Sequence, residues 1–134
     1  MRECNKRKNI GVIYMSCLFN SLSHFIADSS YNIRQKICDY LEQNEPIIDG
    51  LETSTILELE NNGTPSQYIA NMRSTSTWGG AIEIQAACNI WKLSIHVKNN
   101  RDGGDKTIQF VPITGHYDRT IYVYWTGGHY EPIR

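Results

Sequence analysis

The sequence predicts a single α+β domain in which helices come first and strands follow. In the first half, apolar residues recur three and four positions apart, as at Leu18, Leu22 and Ile26, which is typical of one helix face. In the second half, apolar and polar residues alternate from Trp91 to Val97, with the period of a strand. A chain of 134 residues is short for two domains. Helices followed by a run of strands favour α+β over a doubly wound fold.

Five helices are predicted before residue 90, each from its own local signal. The first starts directly after Cys17, and a loop marked by proline and glycine at 46–50 follows the second. Thr64 followed by Pro65 is a good helix start, because proline fits the first helical position. Thr77 can cap the fifth helix. The apolar positions of the five helices lie within residues 18–26, 33–41, 56–60, 68–72 and 81–88.

Three strands are predicted after residue 90. The alternating segment described above is the first, and the Asp-Gly-Gly-Asp turn at 102–105 leads to the second. The third strand is residues 120–125, with Ile121 and Val123 on one face. We expect a small, mostly antiparallel C-terminal sheet, connected as a meander, with the N-terminal helices packed on it.

Composition and charge exclude several classes of protein. The chain is 40% hydrophobic and 20% charged, which is typical of a folded domain and not of a disordered chain, collagen or coiled coil. A formal net charge of -1 provides no global attraction to nucleic acid or membrane. No apolar run approaches the length of a transmembrane helix, and no secretory signal is predicted. The single domain is expected to span 1–134, with 1–9 a flexible basic end.

The four cysteines lack the spacings that zinc sites show, so neither a metal nor another cofactor is expected. Scattered thiols in a chain with a core indicate a reduced, intracellular protein. Cys38 and Cys88 lie in apolar helical patterns and are expected to be buried, whereas Cys4 lies in the charged end. Cys17 stands at a helix start, where backbone N–H groups favour a thiolate, the form that attacks a carbonyl.

A cysteine nucleophile needs a histidine base, and the chain has four histidines. His24 is seven residues along the helix that starts after Cys17, too far to reach it, and His96 is expected to face solvent from a strand. His116 and His129 share a pattern, Gly-His-Tyr-Asp and Gly-His-Tyr-Glu, which sets a carboxylate two residues on. The residue pattern is compatible with either histidine as the base and slightly favours His129.

Four stretches taken together resemble the ovarian tumour (OTU) family of cysteine proteases. CLFNSLS from Cys17 resembles its nucleophile helix, and NIRQKICDYL from Asn32 its next helix. Residues 68–97, with Trp78-Gly79-Gly80 and the strand that follows, resemble its most recognisable block. YVYWTGGHYEPI from Tyr122 resembles its final strand and histidine. The resemblance covers nearly the whole chain from residue 14 and implies a minimal, papain-like OTU fold.

The resemblance implies a thiol protease with Cys17 as nucleophile and His129 as base, which makes His116 a loop residue. The family orients its histidine with Asp or Asn, and here Glu131 takes that place. The backbone at Tyr14, Met15 and Ser16 is expected to form the oxyanion loop, where the usual Asp-Gly-Asn is replaced.

The residue types near these positions suit a substrate that ends in Gly-Gly, as ubiquitin does. Aromatic side chains can wall a channel that admits only glycine, and glycines let its backbone approach closely. The candidate substrate-binding residues are Trp78, Gly79, Gly80, Trp125, Gly127, Gly128 and Tyr130. Residues 28–60 hold eight acidic and two basic residues, a surface that would steer the approach of a basic partner.

The function predicted from these features is that of a deubiquitinase, which hydrolyses the isopeptide bond after the last glycine of ubiquitin through a Cys17 thioester. The alternatives are an inactive, ubiquitin-binding OTU-like module and a protease for another ubiquitin-like modifier. The expected partner is ubiquitin or polyubiquitin, with no nucleic acid or membrane, and the protein is expected to be a monomer. The expected location is the cytoplasm. For a protein from a virus or a bacterium, this would be the cytoplasm of the host cell.

Overall fold

A computed structural model describes residues 16–48, 51–59, 64–99, 106–126 and 129–133. Five helices and six strands lie in these ranges. The helices are α1 (Cys17–Leu22), α2 (Ser30–Glu42), α3 (Thr53–Leu59), α4 (Pro65–Met72) and α5 (Ala81–Trp91). The strands are β1 (Pro46–Ile48), β2 (Leu51–Glu52), β3 (Leu93–Asn99), β4 (Lys106–Phe110), β5 (Arg119–Trp125) and β6 (Tyr130–Ile133).

The larger sheet has four strands in the order β4-β3-β5-β6. β3 pairs antiparallel with β4, and β5 pairs antiparallel with β6, but β3 and β5 run parallel. Most of the strand pairs are therefore antiparallel, as predicted, whereas the predicted meander is wrong. A meander would have set β5 beside β4, and β5 lies on the other side of β3 instead.

The reason for this order is visible in the burial of each strand. β3 and β5 carry the buried apolar side chains, including Ile95, Val97, Ile121 and Val123. Strands with such side chains are most stable in the middle of a sheet, where both neighbours shield them. β4 is exposed over nearly its whole length and occupies an edge.

The core lies between this sheet and the helices. α5 contacts β3 and α2, and α2 contacts α1 and α4, so that α1 is held against the rest of the domain. The fully buried side chains include Leu18, Phe19 and Leu22 from α1, which join Ile37 and Ile84 in one apolar cluster. Burial of each such side chain favours folding by about 1.5–3 kcal/mol.

Side-chain caps mark the starts of α2 and α4, whereas α5 starts at a different residue from the one predicted. The hydroxyl of Thr64 accepts a hydrogen bond from the Gln67 N–H, which confirms Thr64 as the cap of α4. Gly80, not Thr77, is the N-cap of α5. Thr77 donates its hydroxyl to the Asn71 carbonyl instead, which keeps it in the turn that precedes the helix.

Two further details differ from the sequence prediction. A loop is predicted at 46–50, but residues 46–48 form the strand β1, which pairs antiparallel with β2 and sets Pro46 opposite Glu52. In addition, α1 begins at Cys17 itself, with Ser16 as its N-cap. Within the described residues, none of the helices combines the length and the apolar character needed to cross a membrane.

Candidate active site

Cys17 is the first residue of α1, and its side chain is buried at 1% exposure. The backbone N–H of Tyr130 donates a hydrogen bond to the Cys17 Sγ over 3.1 Å. This contact joins the start of α1 to the start of β6 across 113 residues of sequence. An N–H donor directed at sulfur favours the charged thiolate over the neutral thiol.

The same contact places His129 beside the thiol. His129 precedes Tyr130, and two bonds of about 1.3 and 1.5 Å join the Tyr130 nitrogen to the His129 Cα. The Cα of His129 therefore lies no more than about 5.5 Å from the Cys17 Sγ, since the sulfur is 3.1 Å from that nitrogen. The Thr126 N–H donates to the His129 carbonyl over 3.1 Å, which links the residue after β5 to the residue before β6.

Glu131 lies near the Nε2 atom of the His129 ring. Its Oε2 is 3.8 Å from His129 Nε2, within the range of an ion pair but longer than a hydrogen bond, and both side chains are 13% exposed. Residues two apart in a strand share a face, which brings the carboxylate to the histidine. Nε2 is thus the ring nitrogen near Glu131, and the other ring nitrogen, Nδ1, is buried.

Ser16 supports the site from the core side. Its hydroxyl accepts a hydrogen bond from the Arg34 Nη2 over 3.2 Å and donates to the Thr75 carbonyl over 3.4 Å. It makes no capping bond to α1. The backbone of Ser16 is predicted to belong to the oxyanion loop, and its side chain points into the protein. Tyr14 and Met15 lie outside the described residues.

The Trp78-Gly79-Gly80 segment packs against the nucleophile helix. A Cβ at Gly79 would lie 2.8 Å from both Leu18 Cδ2 and Phe19 Cζ, so this close approach requires glycine. Glu83 holds the next residue by accepting the Gly80 N–H over 2.8 Å. Glu83 also accepts the Tyr68 hydroxyl over 2.6 Å. Burial raises the pKa of the Glu83 carboxyl, and these hydrogen bonds oppose the rise.

Two clefts meet at the start of α5. One, of about 350 Å³, is lined by the Trp78-Gly79-Gly80 segment together with Tyr68 and Glu83. The other, of about 170 Å³, is mostly apolar and is lined by Trp125 and Tyr130 together with side chains of β3 and β4. Ala81 lines both clefts. The two tryptophans, predicted to wall one channel, thus lie in different clefts, and Trp78 is 47% exposed.

Comparison with known proteins identifies the family. A family model described as OTU-like cysteine protease matches residues 5–130. The chain belongs to this family. It is 28% identical to the ubiquitin thioesterase otu2 of Schizosaccharomyces pombe over 134 residues, which cover 88% of this chain and 42% of that protein. The chain thus spans less than half the length of this relative.

Solved OTU domains share the fold. An OTU domain in complex with ubiquitin superimposes with a TM-score of 0.70 at 22% identity, covering 87% of this chain and 62% of that one. An OTU deubiquitinase from Wolbachia pipientis wMel, bound to ubiquitin, has a TM-score of 0.63 at 22% identity and covers 90% of each chain. The resemblance drawn from the sequence and the α+β, OTU-type fold are both confirmed.

The remaining thiols of the OTU domain differ from Cys17 in their surroundings. Cys38 and Cys88 are fully buried in α2 and α5, as predicted. Burial raises the pKa of each of these thiols to about 12, so neither forms a thiolate near neutral pH. Burial also raises the pKa of Tyr130 to about 12, with Cys17 and Glu83 adding to the effect.

The other histidines lie away from the nucleophile. His116 is exposed in the segment between β4 and β5, as the resemblance implied. His24 is exposed just beyond α1. His96, expected to face solvent, is half-buried because its ring packs on Tyr122, with ring centroids 4.9 Å apart. Gly127 and Gly128 lie outside the described residues.

Three residues with polar roles around the OTU site were missed from the sequence, namely Arg34, Tyr68 and Glu83. The spacing of Gly80 and Glu83 was a usable signal, because an acid three residues after an N-cap is a helix-start signature. Arg34 and Tyr68 carried no such signal, since their partners lie on other elements. Across the part of the chain that is described, no three His, Cys, Asp or Glu side chains are grouped to hold a metal ion.

Proposed function

We propose that this OTU domain is a deubiquitinase that cleaves the isopeptide bond after the last glycine of ubiquitin. The observation that carries the proposal is the hydrogen bond from the Tyr130 N–H to the Cys17 Sγ, because it sets His129 beside a cysteine at a helix start. Family membership and relatives named as ubiquitin thioesterases and ubiquitin-bound OTU domains support the same substrate.

The reaction begins with proton transfer from the Cys17 thiol to Nδ1 of His129. The thiolate then attacks the carbonyl carbon of the terminal glycine, and the C=O π electrons move to oxygen. When the tetrahedral intermediate collapses, the C–N bond breaks, and the lysine amine leaves with the proton from His129. A thioester between ubiquitin and Cys17 remains. Water, deprotonated by His129, then attacks the thioester and releases the ubiquitin carboxylate and the thiol.

Glu131 and the apolar cleft have roles in this proposal that follow from their places. The Glu131 carboxylate stabilises the imidazolium that forms on His129 when the thiol proton arrives. The cleft lined by Trp125 and Tyr130 receives apolar parts of the substrate chain, since Tyr130 borders both the cleft and the nucleophile. The Trp78-Gly79-Gly80 segment lines the neighbouring cleft, and Ala81 borders both clefts.

The test is labelling by a ubiquitin probe with a cysteine-reactive C-terminus, together with hydrolysis of di-ubiquitin. The parent protein is expected to label on Cys17 and to cleave, whereas Cys17→Ala should do neither while melting at the parent temperature. Cys38→Ala and Cys88→Ala are the matched controls and should still label, because the pKa of both thiols is raised to about 12. Cleavage by Cys17→Ala would exclude Cys17 as nucleophile. Ubiquitin binding without cleavage by the parent would instead indicate a binding module.

A further inference from the structure

Arg34 is a buried cation that the proposed reaction does not use. It lies in α2 with 1% exposure, and its guanidinium stacks on the Phe19 ring at 4.3 Å from the centroid. Burying a charged group is costly unless hydrogen bonds replace its water. Burial lowers the pKa of Arg34 from its ordinary value, yet arginine keeps its proton in proteins. The partners of this cation therefore indicate what it stabilises.

Two of those partners connect Arg34 to the nucleophile. Nη1 donates to the Met72 carbonyl at the end of α4 over 2.8 Å, and Nη2 donates to the Ser16 hydroxyl over 3.2 Å. A guanidinium is planar, so the two donors have a fixed separation and fix their acceptors relative to each other. Ser16 is joined by one peptide bond to Cys17.

Ser16 differs from an ordinary N-cap serine. A serine in this position usually turns its hydroxyl onto the N–H groups of the first helical turn. Here that hydroxyl binds Arg34 and the Thr75 carbonyl, and it makes no cap. α1 has only six residues, and a helix this short is not stable by itself in water. Tertiary contacts must therefore fix where α1 starts, and Ser16, the residue before Cys17, makes two of them.

We propose that Arg34 is a positioning residue, which holds Ser16 against the end of α4 and thereby aligns the Cys17 side chain with His129. The expected effect on turnover rests on the proposed function, whereas the alignment of Cys17 by Arg34 does not. We call the two hydrogen bonds from Arg34 to Ser16 and to Met72 the clamp. Loss of the clamp would let the start of α1 shift, and small misplacements of a reacting group cost up to about 100-fold in rate.

The experiment compares Arg34→Lys, Ser16→Ala and their double variant with Gln35→Ala as the matched control. Lysine keeps the charge but cannot span both acceptors. Gln35 is the next residue of α2, and it exchanges hydrogen bonds with Arg73 at the same end of α4 without touching Ser16. Two measurements are made on folded protein. One is kcat and KM for a fluorogenic ubiquitin substrate, and the other is the pH profile of iodoacetamide alkylation at Cys17, followed by peptide mass spectrometry.

In both single variants, kcat should fall roughly 10- to 100-fold with KM within about twofold. The midpoint of the alkylation profile should rise by about one pH unit, because a misaligned imidazolium no longer stabilises the thiolate. The double variant should be no worse than the poorer single variant, since both changes break one clamp. Gln35→Ala should leave kcat and the profile at the parent values even if its melting temperature falls.

Parent values of kcat and profile midpoint in folded Arg34→Lys and Ser16→Ala would overturn the proposal, as would additive losses in the double variant. If Arg34→Lys does not fold, Ser16→Ala is compared with Ser16→Thr, which keeps the hydroxyl and should restore the parent profile. Failure of Ser16→Thr to restore it would count against the clamp. If the parent does not cleave ubiquitin, the proposed function is refuted. The clamp is still supported if Arg34→Lys and Ser16→Ala raise the midpoint of the alkylation profile and the double variant raises it no further.

Discussion

At the scale of single residues, the candidate site depends on neighbours that differ between chemically similar groups. Three described cysteines share low exposure, and burial is the largest cause that raises the pKa of Cys38 and Cys88 to about 12. Cys17 differs from them in its contact with Tyr130, the residue that follows His129. His116 and His129 share the same local pattern, and only His129 is carried to the nucleophile. Residue type and spacing are thus necessary for this chemistry. The contact between a cysteine and a histidine-bearing segment is what separates Cys17 and His129 from the other cysteines and histidines.

The two look-alike histidines give a direct test at this scale. His129→Ala should abolish turnover of a ubiquitin substrate, because removal of a general base costs about 100- to 10,000-fold. His116→Ala should leave the rate within about threefold, since an exposed loop residue has no part in the proton transfer. Steady-state rates for both variants are the measurement. A large loss in His116→Ala, with His129→Ala active, would reverse the assignment of the base.

Glu131 is expected to contribute less than His129. The carboxylate lies 3.8 Å from Nε2, too far for a strong hydrogen bond, so it acts on the imidazolium mainly through charge. Glu131→Gln should therefore lower kcat roughly 3- to 30-fold, and Glu131→Ala at least as much. Hydrolysis of a fluorogenic ubiquitin substrate over a pH series provides the values. Parent rates in both variants would leave Cys17 and His129 acting without this carboxylate.

At the scale of elements, the site is formed where α1, β6 and the segment before α5 meet. α1 contacts β6 through the Cys17 thiol, and Gly79 packs on the apolar side of α1. Glu83 holds the Gly80 N–H, which fixes the start of α5 beside both clefts. Each of these three elements is therefore held in place by a contact with a neighbouring element. A change in one of these contacts should move the Cys17 side chain.

Gly79 and Gly80 offer a matched pair for testing this dependence. A Cβ at Gly79 would meet Leu18 and Phe19 at 2.8 Å, whereas a Cβ at Gly80 would meet nothing within 4 Å. We expect Gly79→Ala to lower the free energy of unfolding by about 1–3 kcal/mol through overpacking, and to lower kcat because α1 shifts. Gly80→Ala should keep the free energy of unfolding of the parent, because its Cβ would meet no neighbour. Urea denaturation and substrate turnover measure the two effects, and equal behaviour of the variants would argue against the close packing at Gly79.

The acidic surface predicted from residues 28–60 is partly neutralised by ion pairs between elements. Arg73, at the end of α4, contacts Asp39 over 2.8 Å and Glu42 over 2.6 Å, both in α2. Lys36 contacts Asp28 over 2.6 Å, and this hydrogen bond, with others from Asn32 and Ser29, lowers the pKa of Asp28 to about 2. Surface pairs of this kind contribute little to stability. Their effect is to reduce the field available for steering a basic partner.

At the scale of the whole molecule, the four-stranded sheet and the apolar core packed on it set the stability on which the site depends. β3 and β5 form the centre, and the buried pair of charged residues Arg34 and Glu83 lies among the apolar side chains. Both charged residues are hydrogen-bonded, and each lies near the other, which lessens the cost of burial. The global stability should therefore depend on pH through Glu83.

The direction of this dependence follows from the raised pKa of Glu83. Burial holds that pKa above its ordinary value of 4.5, so the folded chain binds the proton more tightly than the unfolded chain. Stability contributed by the protonated group should fall as pH rises from about 4.5 through the folded-state pKa. Glu83→Gln cannot titrate and should lose this part of the slope.

The measurement is urea denaturation between about pH 4 and 8 for the parent, Glu83→Gln and Glu52→Gln. Glu52 is exposed in β2, so its variant should track the parent. The unfolding free energy of Glu83→Gln, relative to the parent, should increase as pH rises. A constant difference across the series would show that Glu83 has the same pKa in the folded and unfolded chains.

Local features of this protein could be read from the amino-acid sequence alone. The apolar period of α1 and α2, the Thr64-Pro65 start of α4 and the alternation in β3 and β5 each depend on residues a few positions apart. The family resemblance came from short motifs in order, and the family model confirms it. These features are encoded locally, because hydrogen bonds within a helix and the pleat of a strand link near neighbours.

Only the tertiary structure decided which elements lie side by side. The parallel pairing of β3 with β5, the separation of Trp78 from Trp125 and the clamp from Arg34 to Ser16 join positions far apart in the chain. The same holds for the contact between Cys17 and Tyr130, which are 113 residues apart. Such pairs form when the whole apolar core packs at once, and periodicity carries no information about which distant side chains will fit together.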